Sequence, residues 1–458
     1  MRSLIPLAVA LALAGCAQTP DLTVPGMALP EAYGNAASAQ LTAPSAWWSL
    51  FASPELDALE QAALQANHDL KAAIARIEQA EAQLHIAGSP LLPTLTASGI
   101  GSSKMTHSSS TSTRTGATVK RSYQGSVAAS YEVDFWGKTA AAIQSAEASL
   151  NASRFDRDTV ALTLTANVAS TWFQVLALGD RVAVARRNLE IARQTLELAE
   201  RQAAYGKTSQ LEAAQQRSTV ALIEAQLPAL ELQRAQVVHA LAILTGLPPS
   251  KLVLDRVTLA GLPAPVVQAG LPSALLHRRP DIAKAEANLV AANANIGVAR
   301  AQLFPTLSLT AEGGLLSPYL ISLADAHNSF WSLGSNIAAT LFDNGKLRGN
   351  VDLSEGKLRE AAETYQGTVL TALKEVEDAL AGTRWLGEQE DAQNRAVASA
   401  REAQRLSDVR YREGAVEYLT VLESQRTLLQ AEDGAVQVRL ARLTASVNLV
   451  KALGGGTE

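Results

Sequence analysis

Two proline-free stretches, residues 138–205 and 346–411, constrain this chain more than any other feature. Each follows a segment of alternating polarity and ends at a turn holding tyrosine and glycine. A single helix across the first would be about 100 Å long at 1.5 Å per residue. An ordinary globular helix has about 11–12 residues. A rod of that length needs other helices along it, because helical stability in proteins comes chiefly from packing an apolar face. From Val182 the small and apolar residues fall at Ala185, Leu189, Ala192, Leu196, Ala199 and Ala203, a heptad seam that implies left-handed supercoiling. The chain returns through Leu211, Ala214, Ser218 and Ala221 to about Leu244. The expected object is long.

The chain is also a tandem repeat. Asp69, Pro93 and Thr94-Leu95 recur as Asp281, Pro305 and Thr306-Leu307, while Gly137-Lys138, Gly179, Leu211 and Gly246 recur as Gly345-Lys346, Gly387, Leu419 and Gly454. The spacing stays near about 210 residues throughout, the mark of a duplicated architecture. It divides the chain into a first repeat over 54–250, a connection over 251–280 marked by Pro263, Pro265 and Pro272, and a second repeat over 281–458. The long hairpins fall at 138–246 and 346–452.

Ahead of each hairpin the period changes to two. Tyr123, Gly125, Val127, Ala129, Tyr131, Val133 and Phe135 share one face; Ser122, Gln124, Ser126, Ser130, Glu132 and Asp134 share the other. Leu307, Leu309, Ala311, Gly313 and Leu315, then Trp331, Leu333, Ser335, Ile337, Ala339 and Leu341, repeat the pattern. Four strands are expected, at about 94–109, 119–135, 305–317 and 330–342, with the Ser- and Thr-rich residues 102–121 as an exposed connection. One apolar and one polar face is the pattern of a transmembrane β-barrel, although a soluble sheet packed on one face shares it. Four strands are too few to close a barrel, and an open edge in lipid leaves backbone groups unsatisfied. Closure then requires several copies of the chain.

The N-terminus reads as a signal peptide over 1–15, with Arg2 followed by a short apolar run over 4–13. Leu13-Ala14-Gly15-Cys16 resembles a bacterial lipoprotein signal, in which Cys16, the only cysteine, becomes the lipidated first residue; a plain signal peptide with Cys16 discarded is the alternative. Ala17 in place of Asp points to the outer membrane by the same resemblance. Residues 16–53, with Pro20, Pro25, Pro30 and Pro44, read as an extended tether, with Trp47-Trp48-Ser49-Leu50-Phe51 as its apolar plug. No other segment holds 18 uninterrupted apolar residues, so no transmembrane helix is expected.

A balance of 39 Lys+Arg against 44 Asp+Glu argues against nucleic acid as a partner. His68, His85, His107, His239, His277 and His327 are scattered, without a metalloprotease pattern, a phosphate loop or a nucleophile elbow. Neither an enzyme nor a cofactor beyond the lipid on Cys16 is expected.

Several motifs resemble those of TolC-type outer-membrane efflux proteins, of the NodT-like lipoprotein branch. They are the Trp47–Phe51 plug with Pro54-Glu55-Leu56, Asn67-His68-Asp69-Leu70, Arg278-Arg279-Pro280-Asp281-Ile282, Ile296-Gly297-Val298-Ala299-Arg300-Ala301, Phe304-Pro305-Thr306, and Tyr411-Arg412-Glu413-Gly414 with Tyr418-Leu419-Thr420-Val421-Leu422. The resemblance covers the mature chain nearly end to end. It implies a mixed α+β membrane protein: a homotrimer in which four strands per chain make a twelve-stranded β-barrel, continued by a periplasmic α-helical barrel with an equatorial collar. It implies an outer-membrane, lipid-anchored exit duct of a Gram-negative bacterium, fed by an inner-membrane pump through a periplasmic adaptor. Small molecules such as drugs or other toxic compounds are the implied cargo, with type I protein secretion or heavy-metal cation efflux as alternatives. The implied gate lies at the hairpin turns, at Tyr205 and Gly206 with Lys207 and Thr208, and at Tyr411 and Gly414. Glu423 matches a position that is commonly Asp, Thr420 one where some members are acidic, and Arg426 interrupts the seam of Leu419, Leu422 and Leu429. A Glu423–Arg426 pair on one helix face would then latch the second hairpin.

Overall fold

The computed structural model describes residues 19–34, 43–108, 116–254, 258–265 and 267–456; Cys16 and the expected signal peptide lie outside them. The chain forms two compact units. One comprises Met1–Pro25, Ile77–Ser153 and Ala285–Tyr365, and the other Gly26–Arg76, Arg154–Lys284 and Gln366–Glu458.

The first unit holds the sheet. Strands β1 (Thr94–Ser108), β2 (Gly116–Val133), β3 (Thr306–Ser317) and β4 (Ser329–Ala338) run antiparallel in the order β1-β2-β3-β4. Val127 lies opposite both Ala97 and Gly313, and Gly313 opposite Trp331, so the alternating apolar residues of all four strands share a face. That face stays uncovered, with Trp331, Leu333 and Ile337 each more than 70% exposed. On the other face Ser98 and Ser126 share a hydrogen bond of 3.1 Å, and Gln124 Nε2 donates to Glu312 Oε1 at 3.0 Å. A sheet that shows its apolar face outward and pairs its polar side chains suits lipid on one side and water on the other.

The strand bounds differ from the sequence reading. Most of the Ser/Thr-rich stretch is strand, because β1 continues to Ser108 and β2 begins at Gly116. At the other end β2 stops at Val133 rather than 135, because the Asp134 carboxylate turns back to accept from the Thr139 and Ala140 amides (3.0 and 2.9 Å). It thereby caps helix α3, which begins at Lys138. Strand β4 stops at Ala338, opposite Thr306, rather than running to 342. The partner strand ends there, and Pro305 has no amide to donate. Asp343 caps the following helix through the Gly345 and Leu347 amides.

The second unit is helical. Helix α1 (Pro54–Ala66) opens on proline with Ser53 as its cap, and Asn67 separates it from α2 (His68–Gly88). Helix α3 (Lys138–Ala204) is followed by α4 (Gln210–Leu244), α5 (Pro280–Ala301), α6 (Lys346–Arg412) and α7 (Tyr418–Ala452). Residues 77–88 of α2, 138–153 of α3, 285–301 of α5 and 346–365 of α6 belong to the sheet unit. Among the described residues α3 alone has a window apolar enough to cross a bilayer, and 56% of that window is buried inside the protein, as in a core helix. The described parts of the expected tether, residues 19–34 and 43–53, are docked at several points rather than merely extended. Asn293 donates to the Pro20 carbonyl at 2.7 Å in the sheet unit. In the helical unit Tyr33 is 5% exposed and the Gly34 amide donates to Glu377 Oε1 at 2.7 Å. Trp47 and Phe51 are buried, with Phe51 4.9 Å from the Phe173 ring.

The α3 seam is buried from Val182 through Ala199, with Leu196 partly so. The seam expected on α4 is not, and that on α7 is buried only in part. Leu211, Ala214, Ser218 and Ala221 are exposed, and Ala213, Gln216, Val220 and Ile223 face the core instead. In α7, Leu419 is 55% exposed while Tyr418, Val421, Gln425 and Leu428 are buried. Leu422 and Leu429 of α7 are partly buried, packed against Tyr418 and Val421 and against Ala192 and Ile223 respectively.

Candidate functional site

Both hairpins turn in the same way. Gly206 takes φ +70° and Gly414 φ +73°, a left-handed conformation that glycine enters without a Cβ penalty. The Lys207 amide bonds to the Gln202 carbonyl at 2.9 Å and the Ala415 amide to the Arg410 carbonyl at 2.8 Å. This six-to-one bond with a left-handed glycine is a Schellman stop. Ser209 caps α4 through the Leu211 amide. Glu417 precedes α7 without a side-chain cap.

The two turns differ in their tyrosines. Tyr205 is 82% exposed, whereas Tyr411 is buried at 5%. Tyr411 packs edge-on against Tyr418, with ring centroids 5.9 Å apart. Its hydroxyl donates to Glu212 Oε2 at 3.2 Å, and that of Tyr418 donates to Gln216 Oε1. Gln216 in turn donates to the Ala192 carbonyl at 2.7 Å. The second hairpin is thus bonded to the first at its turn. Burial, then the Glu212 charge and hydrogen bond, push the Tyr411 hydroxyl up to about 12. Burial first, then Tyr411 and Glu212, raise Tyr418 as well.

Further along the helices Gln425 donates to Thr195 Oγ1 at 2.8 Å, and Asn188 to Glu432 Oε2 at 3.2 Å. Arg401 also reaches Glu432, at 2.7 Å. The Arg181 guanidinium grips Asp433 through two bonds, of 2.6 and 3.3 Å.

The expected Glu423–Arg426 pair is present on α7. Glu423 and Arg426 stand 3.7 Å apart on α7 with both side chains more than 60% exposed. A solvated pair on one helix contributes only a few tenths of a kcal/mol, and it joins nothing across the hairpins. Thr420 is exposed. Arg426 also borders a cavity of about 460 Å³ between α3, α4 and α7, with Asn188, Ile223 and Leu429. The buried hydrogen-bonded cluster of Tyr411, Tyr418, Glu212 and Gln216 was not foreseen from the sequence. Tyr411 and Tyr418 stood in the motif, but nothing in the sequence paired them with residues about 200 positions earlier.

The outer membrane efflux protein family model matches residues 59–247 and 271–455, one match in each repeat. The chain belongs to the outer membrane efflux protein family. It is 45% identical over 466 residues to the pyoverdine export outer membrane protein OpmQ of Pseudomonas aeruginosa, a match covering 100% of this chain and 98% of the relative. It is 34% identical to the probable efflux pump outer membrane protein TtgC of Pseudomonas putida (99% and 96% covered). With the cation efflux system protein CusC of Escherichia coli K12 it shares 30% (99% and 99%). Among solved structures, the outer-membrane channel OprN superposes with a TM-score of 0.88 at 27% identity, over 96% of this chain and 99% of that one. The open state of the MtrE channel of Neisseria gonorrhoeae gives 0.85 at 29%, over 96% and 98%. The duplicated, mostly helical chain with one four-stranded sheet is thus an outer-membrane efflux channel of the TolC-like fold.

Proposed function

We propose that three copies of this chain close their sheets into one barrel and form the exit duct of a tripartite efflux system. A periplasmic adaptor and an inner-membrane pump would supply cargo and energy, and the chain itself would carry out no chemistry. The observation that carries this reading is the sheet: strands β1 and β4 have no further partner strand among the described residues, and the apolar face is bare. Unpaired edges beside lipid cost several kcal/mol per group, so copies of the chain are the natural closure. The lipid on Cys16 would hold each copy at the periplasmic side of the membrane. Small-molecule cargo is favoured by the 45% identical relative, named for pyoverdine export, over the metal-cation reading of the 30% identical one.

The gate is assigned to the hairpin turns, where Tyr411 and Tyr418 hold the second hairpin to the first. Purified protein should be trimeric and conduct poorly in a planar bilayer until these contacts are removed. A monomer that conducts in no variant would overturn the reading. Deleting the gene should also retain an organic metabolite or drug inside the cell; retention of metal ions alone would move the cargo to the cation class.

A further inference from the structure

The hairpin β1–β2 outruns the rest of the sheet. The β2–β3 pairing ends at Tyr123 opposite Ser317, whereas β1 and β2 stay paired as far as Ser108 opposite Gly116. In this projecting ribbon Lys104 lies directly opposite Lys120. Alternation places both lysines on the face of Ser98, Gln124 and Ser126, while Met105 and Val119 continue the apolar face. Like charges set directly across a strand pair are destabilising, and both lysines are exposed.

The two paired strands themselves supply no counter-charge. Residues 94–131 contain no Asp or Glu, yet they carry Lys104, Lys120, Arg121 and Arg114, the last outside the described residues. Residues 306–342 contain no Lys or Arg. The nearest carboxylate on the same face of the neighbouring strand is Glu312, opposite Ala128. Its carboxylate reaches back to the Gln124 side chain, and Gln124 stands four residues from Lys120, a distance of about 13 Å at 3.3 Å per residue. That exceeds the Debye length of about 8 Å at physiological salt, so Glu312 does not neutralise the pair.

We propose that Lys104 and Lys120 form a basic collar at the outward end of the duct, and that its cargo class is small organic anions bearing carboxylate or phosphate groups. The inference rests on the exit-duct reading above. Repeated around the pore, such side chains set selectivity by electrostatics rather than by specific binding. Lipid phosphates share the same chemistry, but lipid lies against the Met105 and Val119 side, so a dissolved anion is the better occupant.

The test is the reversal potential of the full-length protein in a phosphatidylcholine bilayer under asymmetric KCl, with Tyr411→Phe/Tyr418→Phe present to hold the duct open. Replacing Lys104→Glu and Lys120→Glu together should lower the chloride-to-potassium permeability ratio about threefold or more at about 0.1 M salt, and the difference should fade near about 1 M as screening shortens to about 3 Å. Lys104→Arg with Lys120→Arg should retain the parental ratio. An unchanged ratio in conducting channels overturns the collar and leaves the duct standing. Absence of conductance in every variant removes both. A shift that appears only when lipid A is added to the bilayer assigns the lysines to lipid phosphates and overturns the cargo class.

Discussion

Arg279 donates through its guanidinium to the backbone carbonyl of Ala452 at 3.0 Å. In the first repeat the equivalent bond runs from the Asn67 side chain to the Leu244 carbonyl, also at 3.0 Å. Each closes the C-terminal end of a hairpin against the start of another helix. Arg279 is 7% exposed and also binds Asp281 and Glu375, each at 2.7 Å. Arg279→Ala leaves these carboxylates and a helix-end carbonyl without their partner, and breaking a buried pair costs about 3–5 kcal/mol. Asn67→Ala, which removes a neutral cap, should cost about 1–2 kcal/mol. Denaturant midpoints of the two variants, measured side by side, check the order.

Tyr418→Phe deletes one hydroxyl and leaves the fully buried Gln216 without its donor. A loss of about 1–2 kcal/mol in the hairpin contact is expected. Together with Tyr411→Phe it should raise single-channel open probability. Glu423→Gln, which touches no bond between the hairpins, should leave the resting conductance within about twofold.

The Tyr411 hydroxyl donates only while it is protonated. Its pKa is raised in the fold to about 12 from 10.0, so this contribution is fully present below about pH 10 and is lost as pH rises from about 10 through about 12. Conductance should therefore climb across that window in the parent and be flatter in Tyr411→Phe. A parent curve that superposes on the variant would refute the role of the hydroxyl.

Glu60, on the buried face of α1, is 0% exposed and has no hydrogen bond to either carboxylate oxygen. Burial, reinforced by Asp57, raises its pKa to about 9 from 4.5. The folded state therefore holds the proton that the unfolded state loses, and stability falls as pH rises from about 4.5 to about 9. At pH 7 the cost is on the order of 3 kcal/mol. Glu60→Gln should be more stable than the parent at neutral pH and should flatten that slope, as read by thermal unfolding at a series of pH values.

Gly246 sits at φ +70° with the Ala66 carbonyl oxygen 2.7 Å from where a Cβ would lie, and Gly454 repeats this at φ +90° against the Arg278 carbonyl. Gly246→Ala combines a strained φ with a backbone collision and should cost about 2 kcal/mol. Gly414→Ala meets open space and should cost only the φ strain, about 1 kcal/mol. Thermal unfolding of the two variants checks the difference.

The duplicated hairpins, the four strands and their two faces were legible because period and repeat are local properties of the chain. Asp134 and Asp343 show where that legibility stopped. Asp134 was read as a strand residue and Asp343 was not singled out, yet each carboxylate caps the helix that follows it. The return helices show a deeper limit: Leu211 and Leu419 were read as seam positions and are exposed, whereas Tyr418 and Gln216 line the face that the chain buries in itself.

Sequence by itself determined that the two proline-free stretches are continuous helices, each ending at a glycine stop, because helix continuity depends on what lies within a few residues. It determined the family for the same reason, since motif and repeat survive without coordinates. Tertiary structure decided which stripe of each helix turns inward and which side chains hold the two turns together. Those outcomes depend on residues such as Glu212 and Tyr411, about 200 positions apart in the chain. Periodicity records that a helix has an apolar side, but only three-dimensional packing selects the partner that meets it.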